Sequence, residues 1–417
     1  MNRRRAWVPP FLASALLLGM AGDAGAQAPS FETMAQELAA LGVEGRPWST
    51  VVVMTVLVPS GSANDPDGLS GATRLLAEMV RARAERSLQP GDARISIEVE
   101  RAHTIFQAMA VPEAWERVYR QLLDAIFAAP LPADALDPER RGLLATARFE
   151  SGAPVREFQD ELYQVVADGD PVWSADPRGS PESLQRIDNA SLTALRGRSY
   201  RRAESMVTLV GALGTGPGAR VYRGRTAALL GDRAAGRPAW SDGDRERLGR
   251  QVTNSWIGAA FPVPRDVPRT LLDFIRHRVS EELNPEPPDP GLFGADVRIE
   301  EMAGGTVLLV EAAVLPEAEE RWEQRVVQIV EDVGERHRDP GFFRFQRRRF
   351  RTAFLVEEGA PEVAGRRMAT DLLRTGDLRD LDKEIDDMEP GALERAVDGL
   401  GEPRVLVFGP DLGGGDG

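Results

Sequence analysis

Cysteine is absent from the 417 residues, lysine occurs once, at Lys383, and histidine occurs three times. Without cysteine there is no disulfide framework, no thiolate-held zinc or iron–sulfur cluster, no thiol nucleophile and no lipid attachment through an N-terminal sulfur. The histidines, His103, His277 and His337, are too far apart in sequence for the short spacings of a metal motif. Arginine therefore carries almost all the positive charge, with 51 basic residues against 65 acidic ones. The resulting formal charge of −14 argues against the basic footprint of a nucleic-acid binder. Beyond the N-terminus no apolar run approaches the roughly 20 residues of a membrane span.

What is there is ordinary globular material, 42% hydrophobic and 28% charged, long enough for two domains with sizeable cores. Residues 1–26 read as a secretory leader. Arg3, Arg4 and Arg5 form its positive end, Phe11 to Met20 its short apolar stretch, and Ala24-Gly25-Ala26 its cleavage site. A single anchoring helix and a twin-arginine export route are the alternatives. The chain is expected to be exported to the periplasm and soluble once the leader is removed. Loss of three arginines and Asp23 leaves the remainder more acidic still.

Two stretches share one design. Residues 190–214 (ASLTALRGRSYRRAESMVTLVGALG) and 391–413 (GALERAVDGLGEPRVLVFGPDLG) each run from a short helical pattern through a β-branched strand to a glycine turn. Residues 214–250, rich in Gly, Arg, Asp and Ala, read as a connector. The expected organisation is a first domain at 27–213, a linker at 214–250 and a second domain at 251–417. In the first, Val51–Val58 is an unbroken apolar run, the pattern of a strand covered on both faces. Leu75, Leu76, Met79 and Val80 follow at helical spacing, then strands at 94–99 and 104–111 and helices at 112–127 and 138–149. The second half predicts strands near 251–261, 296–300 and 305–314 and helices at 268–282, 316–336 and 341–357. The fold class is α+β, two homologous domains that each pack helices on one face of an antiparallel sheet.

The run Val58-Pro59-Ser60-Gly61-Ser62-Ala63-Asn64-Asp65-Pro66-Asp67-Gly68-Leu69-Ser70-Gly71, with His103-Thr104-Ile105-Phe106, Glu139-Arg140, Gly179-Ser180-Pro181-Glu182, Ile187 and Tyr200, occurs in a telling order. That order resembles the insulinase/pitrilysin metallopeptidases, the inverzincins, in their two-domain processing-peptidase-like branch. The resemblance implies the metallohydrolase (LuxS/processing-peptidase-like) fold. It also implies a helix carrying H-x-x-E-H, whose histidines share a face and hold Zn²⁺ while the glutamate activates water. Matching Gly71 to the family's glycine puts the first His at Arg74, the base at Ala77 and the second His at Glu78. The distant ligand falls at Thr146. A guanidinium cannot ligate zinc, alanine cannot take a proton, and one carboxylate is too few. The zinc motif is degenerate, and Arg74 and Glu78 are placed to pair across one helical turn instead.

The resemblance implies further a clam-shell chamber shared with a second subunit. Pro287 and Gly294 stand where such subunits carry an Arg and a Tyr for gripping substrate, so that grip is missing too. The strand that adds to substrate maps near Ser96, Ile97 and Val99, an edge that could still hold extended peptide through its backbone. Gly214-Thr215-Gly216-Pro217-Gly218 reads as linker rather than phosphate cradle. Phe343, Phe350 and Phe354 share a helical face and read as core, with the neighbouring arginines solvated; anionic lipid or an acidic partner is the alternative use of that segment. The leading expectation is a pseudoenzyme, the non-catalytic subunit of a heterodimer with an active inverzincin, zinc being held only by that partner. A stand-alone peptide-binding or chaperone-like module is the second reading, and a zinc endopeptidase with rearranged ligands the third.

Overall fold

The computed structural model of the protein describes residues 30–150, 152–224, 243–302 and 305–411, so the leader at 1–26 lies outside the described residues. The first half runs α1 (Phe31–Ala35), β1 (Ala40–Gly45), β2 (Val52–Val58), α2 (Ala72–Ser87), β3 (Ala93–Val99), β4 (Thr104–Ala110), α3 (Trp115–Leu123), α4 (Leu136–Glu150), α5 (Pro154–Val166), α6 (Pro171–Ser174), α7 (Pro181–Arg186), α8 (Asn189–Ser199), β5 (Met206–Gly211) and β6 (Gly218–Arg223). The second runs β7 (Arg245–Arg250), β8 (Ser255–Val263), α9 (Arg269–Leu283), β9 (Leu292–Met302), β10 (Gly305–Val314), α10 (Glu319–Arg336), α11 (Pro340–Glu358), α12 (Pro361–Thr375), α13 (Leu381–Asp386), α14 (Pro390–Asp398) and β11 (Arg404–Pro410).

The strands form two sheets, ordered β3-β4-β2-β5-β1-β6 and β7-β11-β8-β10-β9. Read backwards, the second order repeats the first from β3 to β1, with β7 in the place of β1. The duplication legible in residues 190–214 and 391–413 thus extends through both halves. The fold is α+β as expected. Neighbouring strands are antiparallel, apart from one parallel pair in each sheet, β1 with β5 and β7 with β11.

One face of the first sheet packs on α2, α3 and α8 through Leu75, Leu76, Val118, Leu122 and Leu192. The matching face of the second packs on α9, α10, α11 and α14. The other face of each sheet is covered as well, by a helix from the opposite half. Phe158, Leu162 and Val166 of α5, at i, i+4 and i+8, sit on Ala260, Leu309, Leu406 and Phe408 of the second sheet. Ala364, Met368, Ala369 and Leu372 of α12 sit on Ala40, Leu57, Met206 and Val210 of the first. This exchange explains why β2 and β5 are buried along their whole length. The contact is close: a Cβ on Gly258 would lie 2.5 Å from a Leu162 methyl. Over the first sheet, the Gln107 side chain donates to Glu362 O at 2.8 Å and Thr208 Oγ1 to Gly365 O at 2.8 Å, which seats α12 in one register.

The linker expected at 214–250 needs correction. Its ends are strands: β6 pairs with β1, and β7 pairs with β11. Their sequences, Gly218-Ala-Arg-Val-Tyr-Arg and Arg245-Glu-Arg-Leu-Gly-Arg, carry no apolar alternation because both strands lie at sheet edges, exposed or half-exposed. Residues 225–242 lie outside the described residues. The short strand β1, Ala-Leu-Gly-Val-Glu-Gly, is buried between β5 and β6, and its two glycines break the β-branched run that would have marked it.

If the exchanged helices join the halves, truncating one at its centre costs as much as any core deletion. Leu162, fully buried, is the residue to test. Leu162→Ala is expected to lower the unfolding free energy by about 2–5 kcal/mol in urea denaturation, with both halves losing structure in one transition.

Candidate functional site

The entry to α2 is built by Asp65. Its Oδ2 accepts from Gly71 N–H at 2.7 Å and its Oδ1 from Thr73 N–H at 2.7 Å and Thr73 Oγ1 at 2.6 Å. These bonds satisfy donors at the start of the helix. Burial pushes the Asp65 carboxyl up to about 6 in spite of them. Gly71 (φ 86°) and Gly179 (φ 78°) cross back to back: a Cβ on Gly71 would lie 2.8 Å from Arg178 O, and one on Gly179 2.5 Å from Ser70 O. Only glycine allows both the left-handed backbone and the approach. The Gly179–Ile187 segment is pinned there by Ser183 Oγ donating to Ser70 O at 2.7 Å and by Arg186 donating to Gly68 O at 2.6 Å.

From this entry α2 turns Leu75, Leu76 and Met79 into the core and Arg74, Glu78 and Arg81 to a cleft of about 840 Å³. Glu78 is 8% exposed and takes a guanidinium on each oxygen. Oε1 accepts from Arg74 at 2.7 and 3.1 Å, and Oε2 from Arg81 at 2.9 Å. Arg81 continues to Glu85 at 3.0 Å and to Glu139 on α4 at 3.7 Å. Thr146 lines the same cleft, its hydroxyl donating along α4 to Gly142 O at 3.3 Å. Three of the four expected positions are therefore gathered, across α2 and α4. The fourth, Ala77, is fully buried within the first-sheet core.

The opposite wall comes from α5 and the loop after α6. Arg156 pairs with Asp176 and, at 3.3 Å, with Asp160; Arg178 pairs with Glu150 at 2.8 Å and Asp176 at 3.3 Å. Burial raises the Asp160 and Glu139 carboxyls, and their arginine partners pull them back. The acidic groups of the cleft are thus held in ion pairs. Arg81, Arg156 and Arg178 were not singled out from sequence. The i,i+3 spacing of Glu78 and Arg81 was a usable signal for the first. Arg156 depends on how α5 crosses between the halves, and Arg178 on how the loop after α6 folds back to α4, neither of which a local pattern encodes.

The metal of the resembled family does not fit this donor set. Guanidinium nitrogens carry no free lone pair for a cation, and Glu78 is already shared between two of them. No group of three His, Asp or Glu side chains converges as a cation site among the described residues. The Ser70 and Ser183 hydroxyls bond each other at 3.1 Å, and none of the three histidines lines the cleft.

The histidines lie elsewhere. His337 closes α10, buried, with Nδ1 2.6 Å from Val333 O, and His277 faces Glu281 at 3.7 Å beside Phe350. His103 lies in the turn between β3 and β4, where burial, with Arg374 and Arg366 of α12 nearby, pushes it down to about 4. Ser96, Ile97 and Val99 lie on β3, the edge of the first sheet, with Ser96 exposed and Val99 buried. Pro287 precedes β9, and Gly294 lies in it, exposed.

Neither a protein-family model nor any curated protein matches the sequence. Solved structures do match. A peptidase M16 inactive domain from Pseudomonas fluorescens superposes with a TM-score of 0.71 at 13% identity, over 90% of this chain and 96% of that one. The chain has the fold of the M16 peptidases. A protease from Helicobacter pylori gives 0.68 at 15% identity over 88% of this chain and 96% of its own. The periplasmic protease PqqL from Escherichia coli gives 0.64 at 12% identity, over 98% of this chain but 49% of that longer one. At such identities the likeness is one of M16 architecture, two sheets with their helices.

Three outcomes follow from these environments. Glu78→Gln removes the charge that two arginines share and is expected to cost about 1–2 kcal/mol in denaturation. Neither zinc nor a chelator is expected to shift the melting temperature of the parent. His103 has its folded pKa below the unfolded 6.5, so its neutral form contributes stability that is lost as pH falls from 6.5 towards about 4. His103→Gln is expected to flatten that part of the stability profile in denaturation curves taken across it.

Proposed function

We propose that the protein is a catalytically inactive M16-like subunit of the bacterial periplasm, which pairs with an active, zinc-bearing relative and forms the non-catalytic wall of their shared chamber. The observation that carries this reading is the Arg74–Glu78–Arg81 unit. It lies on the helix face where the resemblance puts the metal ligands, and it leaves there a single carboxylate already held by two guanidiniums. Two comparisons support it. One matching structure is described as an inactive M16 domain. Another is a periplasmic protease of which this chain spans 49%, so a second two-domain chain would make up the length. The leader read at 1–26 supports export.

Open edges suit the same role. β3 has a strand on one side only, and strand addition needs backbone donors and acceptors rather than particular side chains. That observation also favours the second reading, a stand-alone module that holds extended peptides.

Mixing with a relative that carries an intact H-x-x-E-H motif separates the two. The expected result is a 1:1 complex by light scattering, zinc only in the relative by elemental analysis, and a changed rate of peptide hydrolysis. A chain that stays alone and leaves the rate unaltered removes the subunit reading. Peptide binding by that lone chain would establish the second. Stoichiometric zinc in the lone chain, lost in Glu78→Gln, would instead establish a peptidase with rearranged ligands.

A further inference from the structure

α11 is 19 residues long and two-faced. Phe343, Phe350 and Phe354 point into the second core, as their spacing predicts. The outward face differs from the solvated arginine face expected of it, because apolar side chains stand among the arginines. Val356 is 72% exposed, Phe345 48%, Leu355 40% and Phe342 37%. With about 100° between successive residues, Phe345, Thr352 and Val356 fall on the outermost line of the helix. Arg344, Arg348 and Leu355 flank that line on one side, Arg349 and Phe342 on the other. The ridge from Phe342 to Val356 is about 21 Å long at 1.5 Å per residue.

The charges on this face are only partly matched. Arg349 pairs with Glu281 at 2.7 Å and Arg351 with Asp382 at 2.8 Å, while Arg347 donates to the backbone oxygens of Asp386 and Met388. Arg344 and Arg348, one turn apart and exposed, have no carboxylate partner among the described residues. The carboxylates of α11 itself lie at its C-terminal end, and Glu358 is buried against Arg367 at 2.8 Å.

We propose that the outward face of α11 docks the protein on an anionic membrane surface. An apolar ridge between guanidinium flanks matches a bilayer interface, where rings and aliphatic groups enter the acyl boundary while arginines on either side reach lipid phosphates. The ridge covers only about 200 Å², its length by a helix width of about 10 Å. A specific protein interface needs about 1,200–2,000 Å², whereas a fluid bilayer conforms to a narrow ridge. The formal charge of −14 repels the rest of the molecule from such a surface, so this face alone approaches and the orientation is fixed. No helix among the described residues is long and apolar enough to cross a membrane. This docking is independent of any subunit partner.

The test is co-sedimentation of the chain from residue 27 onward, which contains every described element, with vesicles of phosphatidylcholine alone or mixed with phosphatidylglycerol. Binding is expected on the mixed vesicles only and is expected to fall as ionic strength rises. Arg344→Gln with Arg348→Gln is expected to lower the partition coefficient about 30-fold, and Phe345→Ser with Val356→Ser to lower it comparably at unchanged circular dichroism. The control pair Arg94→Gln with Arg141→Gln, exposed arginines on β3 and α4, is expected to bind as the parent does. No co-sedimentation, equal binding to both vesicle types, or an equal loss in the control pair overturns the proposal. So does capture of an acidic protein by this face without vesicle binding.

Discussion

The reciprocal placement of α5 and α12 is the constraint on which the rest of the structure depends. Each sheet has two apolar faces, and each half supplies enough of its own helices for one. The second face is closed only by the other half: Phe158, Leu162 and Val166 in one direction, Ala364, Met368 and Leu372 in the other. Removing either helix would expose a sheet face, whose cost is set by apolar area rather than by any one bond. The exchange also places Arg156 and Asp160 of α5 opposite Arg74 and Glu78 of α2. The cleft therefore exists because the halves are interlocked.

Within that cleft, ion pairs tie α2 to α4. Here Glu78 gathers Arg74 and Arg81, and Arg81 reaches Glu139 on α4. Such pairs are softened by solvent at partly exposed arginines. Ion pairs do the same on the opposite wall, where Arg156 and Arg178 bind the loop after α6 to α5 and α4.

Much of the fold was legible in the sequence wherever burial was one- or two-sided and continuous. Val52–Val58, the Leu75–Val80 stripe and the paired strands at 206–211 and 404–410 announced themselves through apolar period alone. Edge strands did not, because β6 and β7 hold arginines and glycines over solvent and resemble a connector. The exchange of α5 and α12 was invisible for a different reason: neither helix was expected from the sequence, and even the apolar spacing of Phe158, Leu162 and Val166 does not say which sheet they cover. In the site, Arg74 with Glu78 could be read from spacing, whereas the burial of Ala77 and the second wall required the third dimension.

The burial of Ala77 together with the sharing of Glu78 bears on how such a chain can change. A histidine at 74 or 78 alone would break the arginine–carboxylate unit while supplying one ligand where three are needed. A glutamate at 77 would have to lose its water in an apolar surround before any cation was there to compensate it. No single substitution at these positions would assemble a cation site, and each would first cost a buried contact, although 74, 78 and 146 lie around one cleft. The packing thus acts as a latch, holding the present side chains in place against changes made one at a time.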